Sequence, residues 1–374
     1  MKKRIIFLLI LIGIESLGYA QKNGSAEQLE KEKALQRILD KTVDNKKVFG
    51  CSFAVKKNGF SWVGSSGNMS LNQSYFIAST TKLFTTALIM QLRSEGKLKL
   101  DDFIVNYLTD SITQRLNVFL NKDYSNTITI QHLLSHSSGL PDYFQDKGKQ
   151  GFSLEQELLL GRDQAWTPEQ AIERTKNMRS FFRPSSGSMA HYSDANFQLL
   201  GLIIEKITGK PYAEACLERI MQPLALTHTY VYQDEKDTLP KALYYKTKEL
   251  YIPKAMTSFG ADGGIVSTSE DMMVFIQSFF QGKLFPATYI SEMQKWRKIF
   301  FPMRSGIGFH KFELPWLLNP MGAVPVFIGH SGLSGALAYY CPEEDVFVVG
   351  TVNQIANPDL SFKTMIKLTR EVSK

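Results

Sequence analysis

Strand-like runs stand near both ends of this 374-residue chain, with a long helix-rich stretch between them. Near the N-terminus, Cys51-Ser52-Phe53-Ala54-Val55 and Phe60-Ser61-Trp62-Val63 flank Asn58-Gly59. Asn-Gly between two such runs favours a tight type I′ hairpin, because both turn positions need positive φ. Far downstream, Ala336 to Tyr340 and Val346 to Val352 are separated only by Pro342-Glu343-Glu344-Asp345. Two pairs of strands separated by over two hundred residues satisfy their backbone groups most simply in one shared antiparallel sheet. The expected class is therefore α+β: a sheet of N- and C-terminal strands flanked by helices, with a large, mostly helical insertion at roughly 101–258.

Helix signals punctuate the rest. Residues from Ser25 to about Asp44 carry Leu29, Leu35, Ile38 and Leu39 among charges, an amphipathic pattern. From Ser79 to about Ser94, Leu83, Phe84, Ala87, Leu88 and Leu92 fall on one face, and Gly96 supplies a stop. Thr167-Pro168-Glu169 reads as an N-cap followed by proline at the first helical position. Asp194 to Thr208 and Tyr212 to Met221 read as two further helices. Ser267-Thr268-Ser269-Glu270 is a capping-box pattern opening a helix through Phe280. Ser361 to Ser373 reads as a closing helix.

The first twenty residues read as a secretory leader rather than as part of the fold. Lys2, Lys3 and Arg4 precede an apolar run from Ile5 to Ile14, and Gly18-Tyr19-Ala20 offers a cleavage site after Ala20. The run is short for a bilayer span, and no later stretch reaches that length without charges. Residues 21–374 are thus expected to form one domain, periplasmic or secreted, with no stable membrane span. Removing three cations and one anion (Glu15) lowers the formal charge from +7 to +5. That mild excess, with no basic cluster interleaved with aromatics, argues against nucleic acid. Cys51, Cys216 and Cys341 are too few and too scattered for a disulfide framework or a metal site, so buried free thiols are expected.

Three short segments could carry chemistry. In Ser79-Thr80-Thr81-Lys82 the i, i+3 spacing puts a hydroxyl and an ammonium on one helix face. A serine there also sits among unpaired helix N–H groups suited to developing negative charge. Taken alone, the pair equally fits a capping serine and a solvated lysine. His191-Tyr192-Ser193-Asp194 puts a phenol and a carboxylate just ahead of an apolar helix; alone, it fits a half-buried tyrosine and a capping aspartate. Gly329-His330-Ser331-Gly332 enters the C-terminal strands, where small residues allow close approach to the backbone. His132 and His136 stand four apart, but Leu133 occupies the place where a zinc-protease helix needs glutamate, so a structural role is expected.

Together, in order and spacing, these segments resemble the serine β-lactamase and D,D-peptidase superfamily, in particular its class C β-lactamase and D,D-carboxypeptidase branch. That family reads Ser-x-x-Lys, Tyr-x-Asn and Lys/His-x-Gly, which Ser79–Lys82, Tyr192–Asp194 and His330–Gly332 resemble. The stretch Thr129 to Pro141 is similar to the family's "HLLTHTSGLP" segment, and Gly263 to Thr268 to another. The resemblance implies Ser79 as nucleophile, with Lys82 and Tyr192 sharing proton transfer. It implies backbone N–H groups of Ser79 and Leu333 as an oxyanion hole, and Asp194, His330, Ser331 and Gly332 as substrate-binding positions. It implies no metal and no cofactor, and a small peptide-like or ester substrate, with peptidoglycan among the candidates. A small-substrate carboxylesterase or amidase and a non-catalytic wall-binding protein are the alternatives.

Two positions depart from the family pattern. Asp194 stands where the family has asparagine, and a carboxylate only accepts hydrogen bonds. Its charge should also hold Lys82 as an ammonium and shift the base role toward Tyr192. His330 stands where β-lactamases usually have lysine. Both weaken the expectation of efficient β-lactam hydrolysis.

Overall fold

The computed structural model describes residues 26–148, 151–184 and 187–374. The leader assigned to residues 1–20 lies outside them. Residues 26–42 form helix α1. The hairpin β1 (Gly50–Lys57) and β2 (Phe60–Gly67) turns at Asn58 (φ 44°) and Gly59 (φ 83°), both in the left-handed region that a type I′ turn requires.

The remaining sheet strands come from the C-terminal third: β3 (Arg297–Phe300), β4 (Met303–Ser305), β5 (His310–Phe312), β6 (Phe327–Ser331), β7 (Ala336–Cys341) and β8 (Val346–Thr351). They form one eight-stranded sheet in the order β3-β4-β5-β6-β7-β8-β1-β2. The two ends of the chain meet where β1 pairs antiparallel with β8, from Ser52↔Thr351 to Lys57↔Val346. The connection from β2 to β3 carries nearly everything else. It holds helices α2 (Lys82–Ser94), α3 (Ile130–Leu134), α4 (Pro168–Lys176), α5 (Ala195–Thr208) and α6 (Ser269–Phe280), together with shorter helices and small strands. Helix α7 (Asp359–Val372) closes the chain.

Each face of the sheet buries a separate apolar cluster. On one face, Leu35 and Leu39 of α1 and Met365 and Leu368 of α7 pack with Phe53, Val55 and Val348. On the other, α2 and α6 lie between the sheet and the helical region, and Phe84 stacks on Phe275 with ring centroids 3.6 Å apart. Helix α2 is buried nearly all round, so every polar side chain on it needs a partner inside the protein. All three cysteines are buried and unpaired. No helix among the described residues is long and apolar enough to cross a membrane.

Some local expectations shift by a residue or change type. Thr167 caps α4 with a box completed by Gln170. At α6 the capping residue is Thr268, which accepts from Asp271 N–H, rather than Ser267 paired with Glu270. The run from Tyr212 to Met221 is α-helical only to Cys216 and then widens to a π-helical turn.

Phe275→Ala empties one side of the fully buried stack between α2 and α6. It should destabilise the protein by about 3–5 kcal/mol in a denaturant titration. A loss below about 1 kcal/mol would show that this contact does not clamp the two helices.

Candidate active site

Ser79 sits at a strained corner. The short strand Tyr75–Phe76 is tied down by Ile77 N–H donating to Ile265 C=O at 3.0 Å. The chain then reverses through Ala78 at φ 46° into a 3-10 turn, Ala78–Thr81, that runs directly into α2. A non-glycine residue in that region costs about 1–3 kcal/mol and persists only where its surroundings enforce it. Part of the enforcement comes from Gly332, just past the end of β6. A Cβ added there would lie 2.4 Å from Ile77 O and 3.1 Å from Ser79 N. Only glycine lets the sheet press this close to the corner. Among the described residues, the backbone N–H groups of Ser79 and Leu333 bond to no protein acceptor.

Lys82 lies one helical turn on, with its side chain wholly buried. Its Nζ donates to Ser79 Oγ at 3.2 Å and to the carbonyl of Asp262 at 2.7 Å, and meets Asp194 Oδ1 at 2.6 Å. Asp194 pairs the charge, while the Ser79 hydroxyl and the Asp262 carbonyl accept hydrogen bonds from the ammonium. The rings of Tyr192 and Phe197 stand 5.1 and 5.3 Å away and add cation–π attraction. Burial alone would push this lysine down, but the charge of Asp194, with Tyr192 and Asp262, outweighs it and holds Lys82 above its usual value. The ion pair with Asp194 thus favours the ammonium form of Lys82.

The tyrosine–aspartate segment is held by the stretch around His136. Ser193 N–H donates to His136 Nδ1 at 3.2 Å, Ser193 Oγ to Pro141 C=O at 2.9 Å, and Asp194 N–H to Asp142 Oδ1 at 3.0 Å. The His136 ring stacks on Tyr192 at 4.6 Å. The Tyr192 phenol has Lys82 and Ser79 as hydrogen-bonding neighbours. Burial and the Asp194 charge push it up and Lys82 pulls it down, and the net direction is up. Neither Lys82 nor Tyr192 rests in its basic form. His132 serves the backbone: its Nδ1 accepts from Thr129 N–H at the start of α3. His132 and His136 are thus used in positioning, in keeping with the structural role expected of them.

Two buried carboxyl groups complete the surroundings. Asp262 Oδ2 accepts from Tyr143 Oη at 2.7 Å and Gln198 Nε2 at 2.9 Å. Asp142 receives the Asp194 and Phe144 N–H groups. Burial first, then the charge of Asp194, pushes both well above the usual carboxylate range. Neither lies in one of the three sequence motifs. The signal available was position: Asp142 follows the Ser138-Gly139-Leu140-Pro141 run, and Asp262 precedes Gly263-Gly264.

Strand alternation divides the third segment between the two faces of the sheet. His330, opposite Ala338, faces the helical side; its ring centroid is 6.5 Å from that of Tyr192, and it stacks on His310 at 4.3 Å. Ser331, opposite Leu337, faces the other cluster, where its hydroxyl is a hydrogen-bonding neighbour of Tyr339. The structure thus places Ser331's side chain away from Tyr192, in contrast to the substrate-binding role the resemblance implies. His330 Nδ1 lies 2.9 Å from the Ser331 carbonyl, which can only accept, so this nitrogen carries the proton. Burial, then neighbouring positive groups, depresses His330 well below the usual histidine range and pushes His310 down to about 3. At neutral pH both rings are uncharged.

A cavity of about 70 Å³ opens at Ser79. Phe76, Phe144, Leu243 and Met256 form apolar walls, Asp194 and Asp262 supply the acidic groups, and Leu333 lies on the rim. None of its lining residues is a lysine or arginine. Among the described residues, no cluster of three or more His, Cys, Asp or Glu could hold a metal ion.

Comparison with known proteins matches residues 35–366 to the Beta-lactamase family. A putative penicillin-binding protein, PbpX, from Bacillus subtilis is 28% identical over 262 residues, covering 68% of this chain and 57% of that protein. This chain therefore spans little more than half that relative's length. A putative D-alanyl-D-alanine carboxypeptidase from Escherichia coli O157:H7 is 27% identical over 320 residues, covering 76% of this chain and 70% of that protein. Among solved structures, a D-stereospecific amidohydrolase from Streptomyces sp. superposes with a TM-score of 0.72 at 26% identity, covering 89% and 97%.

Asp194→Asn removes the charge that keeps Lys82 protonated, so the Lys82 pKa should fall. Because the protonated Lys82 is the working form, the alkaline limb of the kcat/KM pH profile should then move to lower pH; an unmoved alkaline limb would rule out this coupling. His310 titrates near about 3 in the fold against about 6.5 when unfolded, so it costs stability as pH falls from about 6.5 toward 3. His310→Phe keeps the stack and removes that proton uptake, so Tm should decline less steeply over this window. Superimposable Tm–pH curves would contradict the assignment.

Proposed function

Because this chain belongs to the Beta-lactamase family and is a serine hydrolase, we propose that it works through an acyl-enzyme on Ser79. The observation that carries this reading is the 3.2 Å contact between Lys82 Nζ and Ser79 Oγ beside two unengaged backbone N–H groups. In this mechanism Ser79 Oγ attacks the substrate carbonyl carbon, and its proton passes to the Tyr192 oxygen. Tyr192 in the same event gives its own proton to the departing amine or alcohol. A tyrosine that receives as it donates need not rest as phenolate, which suits its raised pKa. The Lys82 ammonium stabilises the negative charge that gathers on the two oxygens as protons move. The N–H groups of Ser79 and Leu333 receive the carbonyl oxygen as it becomes an oxyanion. Water then attacks the acyl-enzyme, giving one proton toward Tyr192 while Ser79 recovers its own. Asp194 acts as a positioning residue for the ammonium.

The substrate class follows from charge. A substrate carboxylate would meet the charge of Asp194 in a cavity lined by no lysine or arginine, with Asp262 held toward its neutral acid. The Lys82 charge is already paired with Asp194, and His330 is neutral. A free amine suits the same surroundings. The reading is therefore an amidase or esterase that cleaves small D-aminoacyl amides or esters, the D configuration being suggested by the Streptomyces amidohydrolase. The Escherichia coli relative favours a second reading, D-alanyl-D-alanine carboxypeptidase activity, which requires a carboxylate at the leaving end. Export belongs to the proposal, supported by the leader-like pattern of residues 1–20.

D-Alanine amide and methyl ester should exceed an N-acyl-D-alanyl-D-alanine peptide in kcat/KM by about tenfold or more, the effect of a single hydrogen bond to a charged group. Ser79→Ala should abolish turnover of all three. A preference for the carboxylate-ended peptide would favour the second reading. No turnover of any of the three by the wild-type protein would contradict both readings.

A further inference from the structure

On the outer end of the sheet, away from the acyl cavity, two adjacent turns expose large apolar side chains. The β3–β4 turn presents Phe300 and Phe301, at 50% and 68% exposure. The loop after β5 presents Trp316, Leu317, Leu318 and Met321, at 76%, 77%, 60% and 88%. Between the turns lies a cavity of about 530 Å³, lined by Phe300, Phe301, Pro302, Pro315 and Trp316.

This loop is built to hold its apolar residues outward. Leu318 and Asn319 N–H both donate to Pro315 C=O, at 2.9 and 3.1 Å. The Asn319 side chain bonds in both directions with Val324, at 2.7 and 3.0 Å. Arg370 of α7 then clasps the Ala323 carbonyl from two guanidinium nitrogens, at 3.1 and 2.8 Å. A loop fixed at three points cannot collapse to hide Trp316 and Leu317. Contiguous exposed apolar surface of this kind marks a docking site rather than ordinary surface.

Charge selects the occupant. Lys298, Arg304 and Lys311 stand around the cavity and its flanking strands. The carboxylate beside them, Glu313, already lies 3.8 Å from Arg304 and 2.7 Å from Lys311. Lys298 makes no ion pair among the described residues. We propose that this face docks on the surface of a bilayer carrying anionic headgroups, with Trp316, Leu317, Leu318, Met321 and Phe301 entering the interface. A tryptophan and aliphatic side chains at loop tips, backed by lysine and arginine, match the apolar and charged layers of such an interface. Phe300 joins this surface to the site: its ring lies 6.2 Å from those of both Tyr192 and His310. Docking would therefore bring the mouth of the catalytic centre close to the membrane plane.

The test is co-sedimentation with vesicles, using the chain from Gln21 onward so that the apolar N-terminal stretch cannot supply the binding. Every contact described above lies within residues 26–374. Vesicles of phosphatidylcholine alone are compared with vesicles of phosphatidylcholine and phosphatidylglycerol. The protein should partition onto the anionic vesicles, and less so as salt rises. Trp316→Ser with Leu317→Ser should weaken that binding about tenfold or more, and Lys298→Gln should reduce the preference for phosphatidylglycerol. An unchanged Tm in the variants excludes misfolding as the cause. Absence of vesicle binding, or equal binding by wild type and the double variant, overturns the proposal. So does concentration-dependent dimerisation of the wild type that the double variant loses, because the occupant would then be a second copy of this chain. Binding is read without turnover, so this result stands apart from the proposed chemistry.

Discussion

A buried ammonium with one ionised partner organises this molecule. Lys82 projects from a helix with almost no solvent contact, and a charge in that position survives only if it is paired and hydrogen-bonded on every donor. Asp194 supplies the opposite charge at 2.6 Å, Asp262 a carbonyl and Ser79 a hydroxyl. These three partners come from three separate parts of the chain, so the ammonium fixes their meeting point. Removing one partner from a buried pair of this kind costs about 3–5 kcal/mol, comparable to much of a protein's net stability. The surrounding groups adjust to the pair. Asp142 and Asp262 are driven toward the neutral acid, and His136, His310 and His330 toward the neutral base.

The sheet makes this arrangement possible by bringing distant chain segments into register. Pairing of β1 with β8 joins the two ends and leaves β6 running past the corner that carries Ser79. Gly332 lets that passage be close enough to hold Ala78 in its left-handed conformation. The hydrogen-bonded stretch from Thr129 to Asp142 then acts as a brace, setting the height and angle of Tyr192 and Asp194 through His136, Pro141 and Asp142. A catalytic constellation supported on all sides in this way keeps its geometry before substrate arrives.

Much of this is legible in the residues. Asn58-Gly59 announces the hairpin, Thr167-Pro168 the start of α4, and the strand runs at both ends the shared sheet. The charge of Asp194, read against the family's asparagine, points to a protonated Lys82. What escapes the sequence depends on faces and long-range approach. Nothing in Asp142 or Asp262 distinguishes a buried acid from a solvated one until the fold brings Asp194 beside them. The opposite orientations of His330 and Ser331 become definite only once β6 has neighbours. His310 belongs to no motif and reaches the site through β5, which carries no strong strand signal. The exposed Trp316 loop likewise reads as ordinary apolar sequence until its anchors hold it outward.

The protonation state of Lys82 is the point on which this mechanism turns, and it can be observed directly. NMR of protein labelled with 15N at the lysine Nζ, with the Lys82 resonance assigned through a Lys82→Met variant, follows that nitrogen through a pH titration. A buried ammonium bound to Asp194 predicts a Lys82 signal that stays in the charged form beyond the pH at which exposed lysines lose their protons, near about 10.4. A Lys82 signal that titrates near neutral pH would mean that lysine itself is the resting base, and would contradict both the ion-pair frame and the tyrosine relay built upon it.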